Sequence, residues 1–465
     1  MSLDKLPVEW SVTGLESLSE FIIGGDWGKD LSFADESYID AFCIRGSEFK
    51  NWKTDKGKTA VPRKLKISSL NTRRLKVGDI LVEISGGGPD QPVGRTVYIE
   101  ELVFNNLDSE DIVCTNFLRL FRPISSINAK YLNFYLSFFY KTPEIVNYQS
   151  GSNNLRNLQF KDYLKLEIPM APLAEQQEIV RQLDMMLAQV EQIKARLDVI
   201  PAILKKFRQS VLASYFPENP ISSEYVICTL KDICTSISDG DHQAPPKAKT
   251  GIPFLVISDV SKEEVDLESA SRFVPQSYYD SLKDIRKPNK GDILYTVTGS
   301  FGIPIPLKKE EDFCFQRHIA ILKLNKLQVE QQYLYYLLKS EFVYQQADKT
   351  ATGTAQKTVA LSSLRNFTVH IPSLAEQSKI MKSIQGLFDY ADSIEEIIQS
   401  AQKRVNSLTQ SILAKAFSGE LTAEWRQQHQ ELITGINSAE SLLAKIQAER
   451  EASKPAKKTR KNKEV

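Results

Sequence analysis

One heptad-patterned stretch occurs twice in this chain, in the same phase, and few folds accommodate that. Leu173 to Phe216 reads LAEQQEIVRQLDMMLAQVEQIKARLDVIPAILKKFRQSVLASYF. Leu183, Val190, Leu197, Leu204 and Val211 recur every seventh residue, and Met186, Ile193, Ile200 and Phe207 each follow three later. Two apolar positions per seven mark a helix that buries a narrow seam against a partner helix. The partner lies in the same chain. Leu374 to Phe417 carries Ile384, Ala391, Ile398, Val405 and Ile412, with Leu387, Ile394, Ala401 and Leu408. A shift of 201 positions superposes the copies without a gap, LAEQ on LAEQ and SVLASYF on SILAKAF.

The segments between the helices repeat less strictly. TLKDICTSISDG from Thr229 echoes GLESLSEFIIGG from Gly14, at an offset of 215. NKGDILYTVTGSFG from Asn289 echoes KVGDILVEISGGG from Lys76, at 213. ATGTAQKTVALSSLRNFTVHIP (Ala351 to Pro372) echoes GSNNLRNLQFKDYLKLEIP (Gly151 to Pro169). The globular parts therefore admit insertions while the helices hold register. Short β-like runs punctuated by Gly and Pro dominate the first globular part: FIIGG, DILVEI, RTVYI and FLRLF. AKYLNFYLSFFY (Ala129 to Tyr140) has helical spacing, GSNNLRNL reads as a polar loop, and Pro201 predicts a kink in the first long helix.

These signals predict an α+β chain with an internal pseudo-two-fold repeat. Two mixed, mainly β heads are joined by two long antiparallel helices in an intramolecular coiled coil. The expected divisions are a first head over 1–150, a helical spacer over 151–217, a second head over 218–365, a second spacer over 366–436, and an amphipathic piece with a basic tail over 437–465. Helices of this length span roughly 60 Å at about 1.5 Å per residue. A stiff spacer of that size suits two readers on one face of a DNA duplex, whose face repeats about every 34 Å.

Composition narrows the function class. The 465 residues carry net charge +1, so charge alone does not announce a nucleic-acid partner. No apolar run approaches the twenty residues of a membrane span, and MSLDKLPVEW lacks a signal-peptide core. Five widely spaced cysteines suit a reducing cytoplasm. GKT (Gly57 to Thr59) is no P-loop, since Trp52 stands where the upstream glycine belongs. SGGGP (Ser85 to Pro89) lacks the following helix of a dinucleotide site, and the four histidines show no metal-ligand spacing. No catalytic residue or metal ligand is expected, and the chain reads as a non-catalytic binding subunit. The alternatives are a coiled-coil scaffold whose heads bind protein, and a self-contained methyltransferase or nuclease.

The chain resembles the specificity (S, or HsdS) subunit of type I restriction–modification enzymes, and most closely the type IA group. The likeness is carried by the entries to the two helices (Ile168 to Gln176, Ile371 to Gln377), by the two GDIL strands, and by LTQSILAKAFSGELTAEWR (Leu408 to Arg426). It implies that each head is a target recognition domain reading one half of a bipartite, asymmetric double-stranded DNA target. It implies two modification subunits, which methylate adenine N6 from S-adenosylmethionine, and restriction subunits, which use ATP and Mg. It implies no cofactor in this chain.

Candidate DNA contacts lie in loops at matched positions, because phosphates call for Lys or Arg and base edges for Arg, Asn, Gln, Ser or Thr. In the first head they are Trp27, Lys29, Arg45, Ser85, Gln91, Arg95, Asn153, Asn154 and Arg156. In the second they are Asp241, His242, Gln243, Thr298, Ser300, Arg317, His318, Thr354, Gln356 and Lys357. Leu212, Ala213 and Phe216, with Leu413, Ala414 and Phe417, lie off the seam. They either pack on the adjacent head or form two equivalent partner-docking sites.

Overall fold

The computed structural model describes residues 5–88, 91–152, 155–220, 225–240, 245–260, 265–268, 270–354 and 356–453. Two compact units emerge, Met1–Ala195 with Gln402–Val465, and Arg196–Ala401. Both boundaries fall in the middle of a long helix, Leu173–Tyr215 or Leu374–Phe417. Each unit therefore combines one head with half of each long helix, whereas the sequence reading divides the chain near the helix ends.

The first unit contains a four-stranded antiparallel sheet in the order Ser19–Gly24, Leu118–Pro123, Ile80–Glu83, Thr96–Tyr98. Beside it, Tyr38–Ile44 pairs antiparallel with Val61–Lys66 and parallel with Ile112–Cys114. The second unit repeats this plan. Its four strands run Cys234–Asp239, Ile319–Leu324, Ile293–Thr296, Pro304–Pro306, and Ile252–Leu255 pairs parallel with Cys314–Phe315. Even the register shift recurs, between Ser19 and Phe21 and between Cys234 and Ser236.

The GDIL strands owe their sequence to burial. Ile80, Leu81 and Val82 are fully enclosed, as are Ile293 and Leu294. A carboxylate beside such a strand must find partners. Asp79 accepts from the Lys76 N–H at 2.6 Å and from Arg122 at 2.7 and 2.8 Å. Asp292 does the same with the Asn289 N–H at 2.9 Å and Lys323 at 2.7 Å.

LAEQ is equally explicable. The Gln176 carboxamide accepts from the Asn128 N–H at 3.0 Å and donates to the Ala171 carbonyl at 2.8 Å. Gln377 accepts from the Glu330 N–H at 2.9 Å and donates to the Pro372 carbonyl at 2.9 Å. Each glutamine ties the start of a long helix to the segment before its head's aromatic helix. Those helices are Ala129–Tyr140 and Gln331–Lys339. The second ends at Ser340, whose hydroxyl caps a new helix, Glu341–Thr350. Gln149–Ser152 and Leu155–Leu158 are paired antiparallel strands, where the sequence reads as a polar loop.

Within each unit the long helices run antiparallel. In the first, Glu175 near the start of one is bonded to Thr422 and Arg426, just past the end of the other. In the second, Arg208 near the end of one helix pairs with Asp392 and Glu395 in the first half of its partner. The seam is narrower than the heptads imply. Leu183, Val190, Leu204 and Val211 are buried, as are Ile384, Ala391, Val405 and Ile412. The second set is only half-buried or exposed, with Ile193 at 43%. A two-helix pair offers each helix one neighbour, which covers a single stripe. The first helix continues through Pro201, an exposed position. No described helix is long and apolar enough to cross a membrane.

The ends of the long helices anchor in the heads. Phe417 meets Tyr131, Tyr135 and Phe138 at 5.4, 5.1 and 5.8 Å between ring centroids, and Phe216 meets Tyr333 at 5.3 Å. Replacing fully buried Phe417 by alanine is expected to destabilise the first unit by about 3–5 kcal/mol. Leu408→Ala, at an exposed heptad position, should fall below about 1 kcal/mol. Denaturant unfolding of the two variants measures the contrast.

Candidate nucleic-acid interface

In each head three turns converge on one residue after the GDIL strand. The Ile84 N–H donates to the Phe117 carbonyl and the Ile84 carbonyl accepts from the Leu158 N–H, both at 2.9 Å. Val297 donates to His318 at 2.9 Å and accepts from Val359 at 2.8 Å. Buried backbone groups need such partners, so the bonds fix the three turns as one platform. Glycine then permits a close crossing. A Cβ on Gly25 would lie 2.1 Å from the Thr115 carbonyl oxygen, and one on Gly240 would lie 2.0 Å from that of Phe315. The turns Thr115–Phe117 and Gln316–His318 are thus pressed into equivalent places.

In the first head the platform frames a cleft of about 750 Å³. Five expected residues line it together: Trp27, Arg45, Ser85, Gln91 and Arg95. Arg95 is largely committed to the fold. It donates to Glu83 at 2.9 and 2.5 Å and to the Gly46 carbonyl at 3.0 Å. Arg45 donates to Glu48 at 2.9 Å, and burial pushes the Glu48 carboxyl above the usual glutamate range. Trp27 stacks under the Arg63 guanidinium at 4.4 Å.

Lys29 does not line this cleft. Its backbone pairs with Lys64, and its ammonium lies 5.9 Å from the Phe33 ring centre. Arg156 sits opposite Gly86 on the adjoining strand. Asn153 and Asn154 lie outside the described residues. The cleft also takes in Thr115, Asn116 and the exposed ring of Phe117, which the sequence reading did not select. The helix offset of 201 would have found the last two, since it maps them onto Arg317 and His318.

The second head keeps the platform and changes the side chains. Thr296 and Ile303 stand where the first head has Glu83 and Arg95, and the Thr296 hydroxyl donates to the Ser300 carbonyl at 2.7 Å. Thr298 is buried, and its hydroxyl accepts from that of Thr358 at 3.3 Å. Ser300, Thr354, Gln356 and Lys357 are exposed. Gln356 rests over Gly299, and Lys357 pairs with Asp348 at 2.7 Å. Arg317 is exposed, and His318 is half-buried with its pKa lowered by burial and by Arg317. Asp241, His242 and Gln243 lie outside the described residues.

The six off-seam positions divide by size. Leu212 and Phe216 are in the core of the second unit, and Leu413 and Phe417 are buried in the first. Only Ala213 is exposed, and Ala414 is half-buried. The four large side chains are packing residues that hold a helix end to a head.

The close crossing yields a test. Gly25→Ala and Gly240→Ala each force a methyl against a carbonyl, with an expected cost of about 1–3 kcal/mol. Calorimetric unfolding should show a lowered midpoint for both.

Comparisons with known proteins converge on one family. The family of type I restriction modification DNA specificity domains matches twice, over residues 7–202 and 222–403. The chain is 31% identical to the type I restriction enzyme EcoBI specificity subunit of Escherichia coli, over 99% of each chain. It is likewise 31% identical to the EcoKI specificity subunit of Escherichia coli strain K12, over 99% of this chain and all of the relative. Its fold is similar to that of the HsdS subunit from Thermoanaerobacter tengcongensis, with TM-score 0.58 at 18% identity over 90% of this chain and 98% of that one. A chain solved in work on complex assembly and conformational transition of the type I R-M system gives TM-score 0.64 at 17% identity, over 90% and 99%. With a doubled head, a doubled helix and these relatives along its whole length, the chain belongs to the family of type I restriction–modification DNA specificity subunits.

Proposed function

We propose that this chain is the DNA-reading subunit of a type I restriction–modification complex. Each head reads one half of a bipartite, asymmetric target. The observation that carries the reading is the platform built twice from the same backbone bonds with different side chains on it. Two copies of one frame with unlike surfaces suit two unlike half-sites. The helices, which keep register while the heads drift, set the gap between the half-sites.

Catalysis belongs to the partners. Two modification subunits dock on the helices and methylate adenine N6 from S-adenosylmethionine. Restriction subunits add ATP- and Mg-dependent cleavage, and the chain itself holds none of these cofactors. Near-neutral net charge fits a reader that relies on its partners for part of its grip on phosphates. The complex works in the cytoplasm, where its DNA is.

Co-expression with the cognate modification subunit is expected to produce adenine methylation at one bipartite motif, read by methylome sequencing. Methylation without a motif would favour a protein-binding scaffold instead. In the assembled methyltransferase, replacing Gln356 and Lys357 together by alanine should weaken binding to that motif by about 1–3 kcal/mol. Anisotropy titration at physiological salt checks it, and unchanged affinity would remove that loop from the interface.

A further inference from the structure

The turn pressed under Gly25 or Gly240 keeps its backbone contacts in both heads while its side chains differ in chemistry. Its last carbonyl, of Phe117 or His318, is bonded to the residue after the GDIL strand at 2.9 Å in both heads. The residue before it is exposed in both, Asn116 in one and Arg317 in the other. Neither side chain has a hydrogen-bond or ion-pair partner among the described residues, whereas the neighbouring Arg45, Arg95 and Lys357 are each held by a carboxylate. A donor held at a rigid turn and left unpaired is pre-organised for a ligand.

We infer that these turn tips are base-reading elements, with Asn116 pairing to the N6/N7 edge of an adenine and Arg317 to the O6/N7 edge of a guanine. This rests on the proposed DNA-reading role. The assignment follows from donor geometry. A carboxamide offers one donor and one acceptor, which matches adenine in the major groove; a guanidinium fork offers two donors, which match guanine. Asn116 borders the recess that also holds Gln91 and Ser85. The exposed Phe117 ring beside it offers an apolar face for a thymine methyl.

The test uses the complete methyltransferase, made with the unaltered chain, with Arg317→Ala and with Asn116→Ala. Methylome sequencing of the unaltered complex first defines the motif; if no motif appears, the DNA-reading role itself fails, which is a separate outcome. Arg317→Ala is expected to accept other bases at one position of one half-site, with discrimination there falling by about ten-fold or more. That position is a guanine in the unaltered motif, and the other half-site keeps its sequence. Asn116→Ala should relax an adenine in the opposite half-site. An unchanged motif overturns the inference, as does uniform weakening at all sites with a shallower salt dependence, which marks a phosphate contact. If Arg317→Ala abolishes methylation, Arg317→Gln decides, since a carboxamide matches adenine rather than guanine. Adenine in place of guanine, or a relaxed base, at that position supports base reading; an unchanged motif or complete loss overturns it.

Discussion

A tyrosine in each head holds together what the chain keeps far apart. The Tyr131 hydroxyl donates to the Pro169 carbonyl at 2.7 Å, on the strand leading into the first long helix, while its ring packs on Phe417, at the end of the second. Tyr333 repeats this with the His370 carbonyl at 2.9 Å and with Phe216. One side chain therefore brings the start of one helix and the end of the other to the same head. That requirement alone makes the helix pair antiparallel within each unit. It also explains why the compact units cut through the helices: each half is anchored to the head beside it. A buried phenol needs a partner for its hydroxyl and a large apolar contact for its ring, and here the two needs are met by two different helices.

The repeat is broken at one end. Glu175, the acid of the first LAEQ, is fully buried and accepts from Trp10 at 2.9 Å, Thr422 at 2.6 Å and Arg426 at 2.7 Å. Burial pushes its carboxyl up, and these donors pull against that shift. Glu376, its mate, is half-buried and pairs with the exposed Lys379. The segment after Phe417 thus serves the first unit alone, and it continues into a helix, Ala439–Ser453, that packs on Ser11–Leu18. The Ser126 hydroxyl bonds Glu449 there at 2.8 Å. A buried carboxylate with three donors is costly to disturb, so Trp10 and the segment after Phe417 are fastened in one unit.

The platform in each head follows a division of labour between backbone and side chain. Backbone bonds through Ile84 and Val297, and glycines at 25 and 240, determine where the turns stand. The side chains on the turns then change at little cost to the frame. Glu83 with Arg95 in one head becomes Thr296 with Ile303 in the other, and both pairs still close the same strand pair. Substituting exposed tip residues leaves the core untouched, so one frame can carry unlike surfaces.

Much of this was legible in the sequence because it depends on periodicity. The heptad phase, the 201-residue shift, the aromatic helix Ala129–Tyr140 and the GDIL strands all declare themselves through spacing and local composition. So did five of the residues that meet in the first cleft. The strands Tyr38–Ile44 and Val61–Lys66 were missed because Asp40 interrupts the first and Pro62, Arg63 and Lys64 dominate the second, which weakens the β pattern. Asn116 and Phe117 were missed because the turn that exposes them is defined by contacts with Gly25 and Ile84, remote in sequence. By itself the sequence determined that there are two like heads and two equal helices, since repeats and heptads are local facts of the chain. Tertiary structure alone decided that Phe216 and Phe417 are core, that Arg95 is held by Glu83, and that each helix divides between two units, because those outcomes depend on which distant surfaces compete for the same side chain.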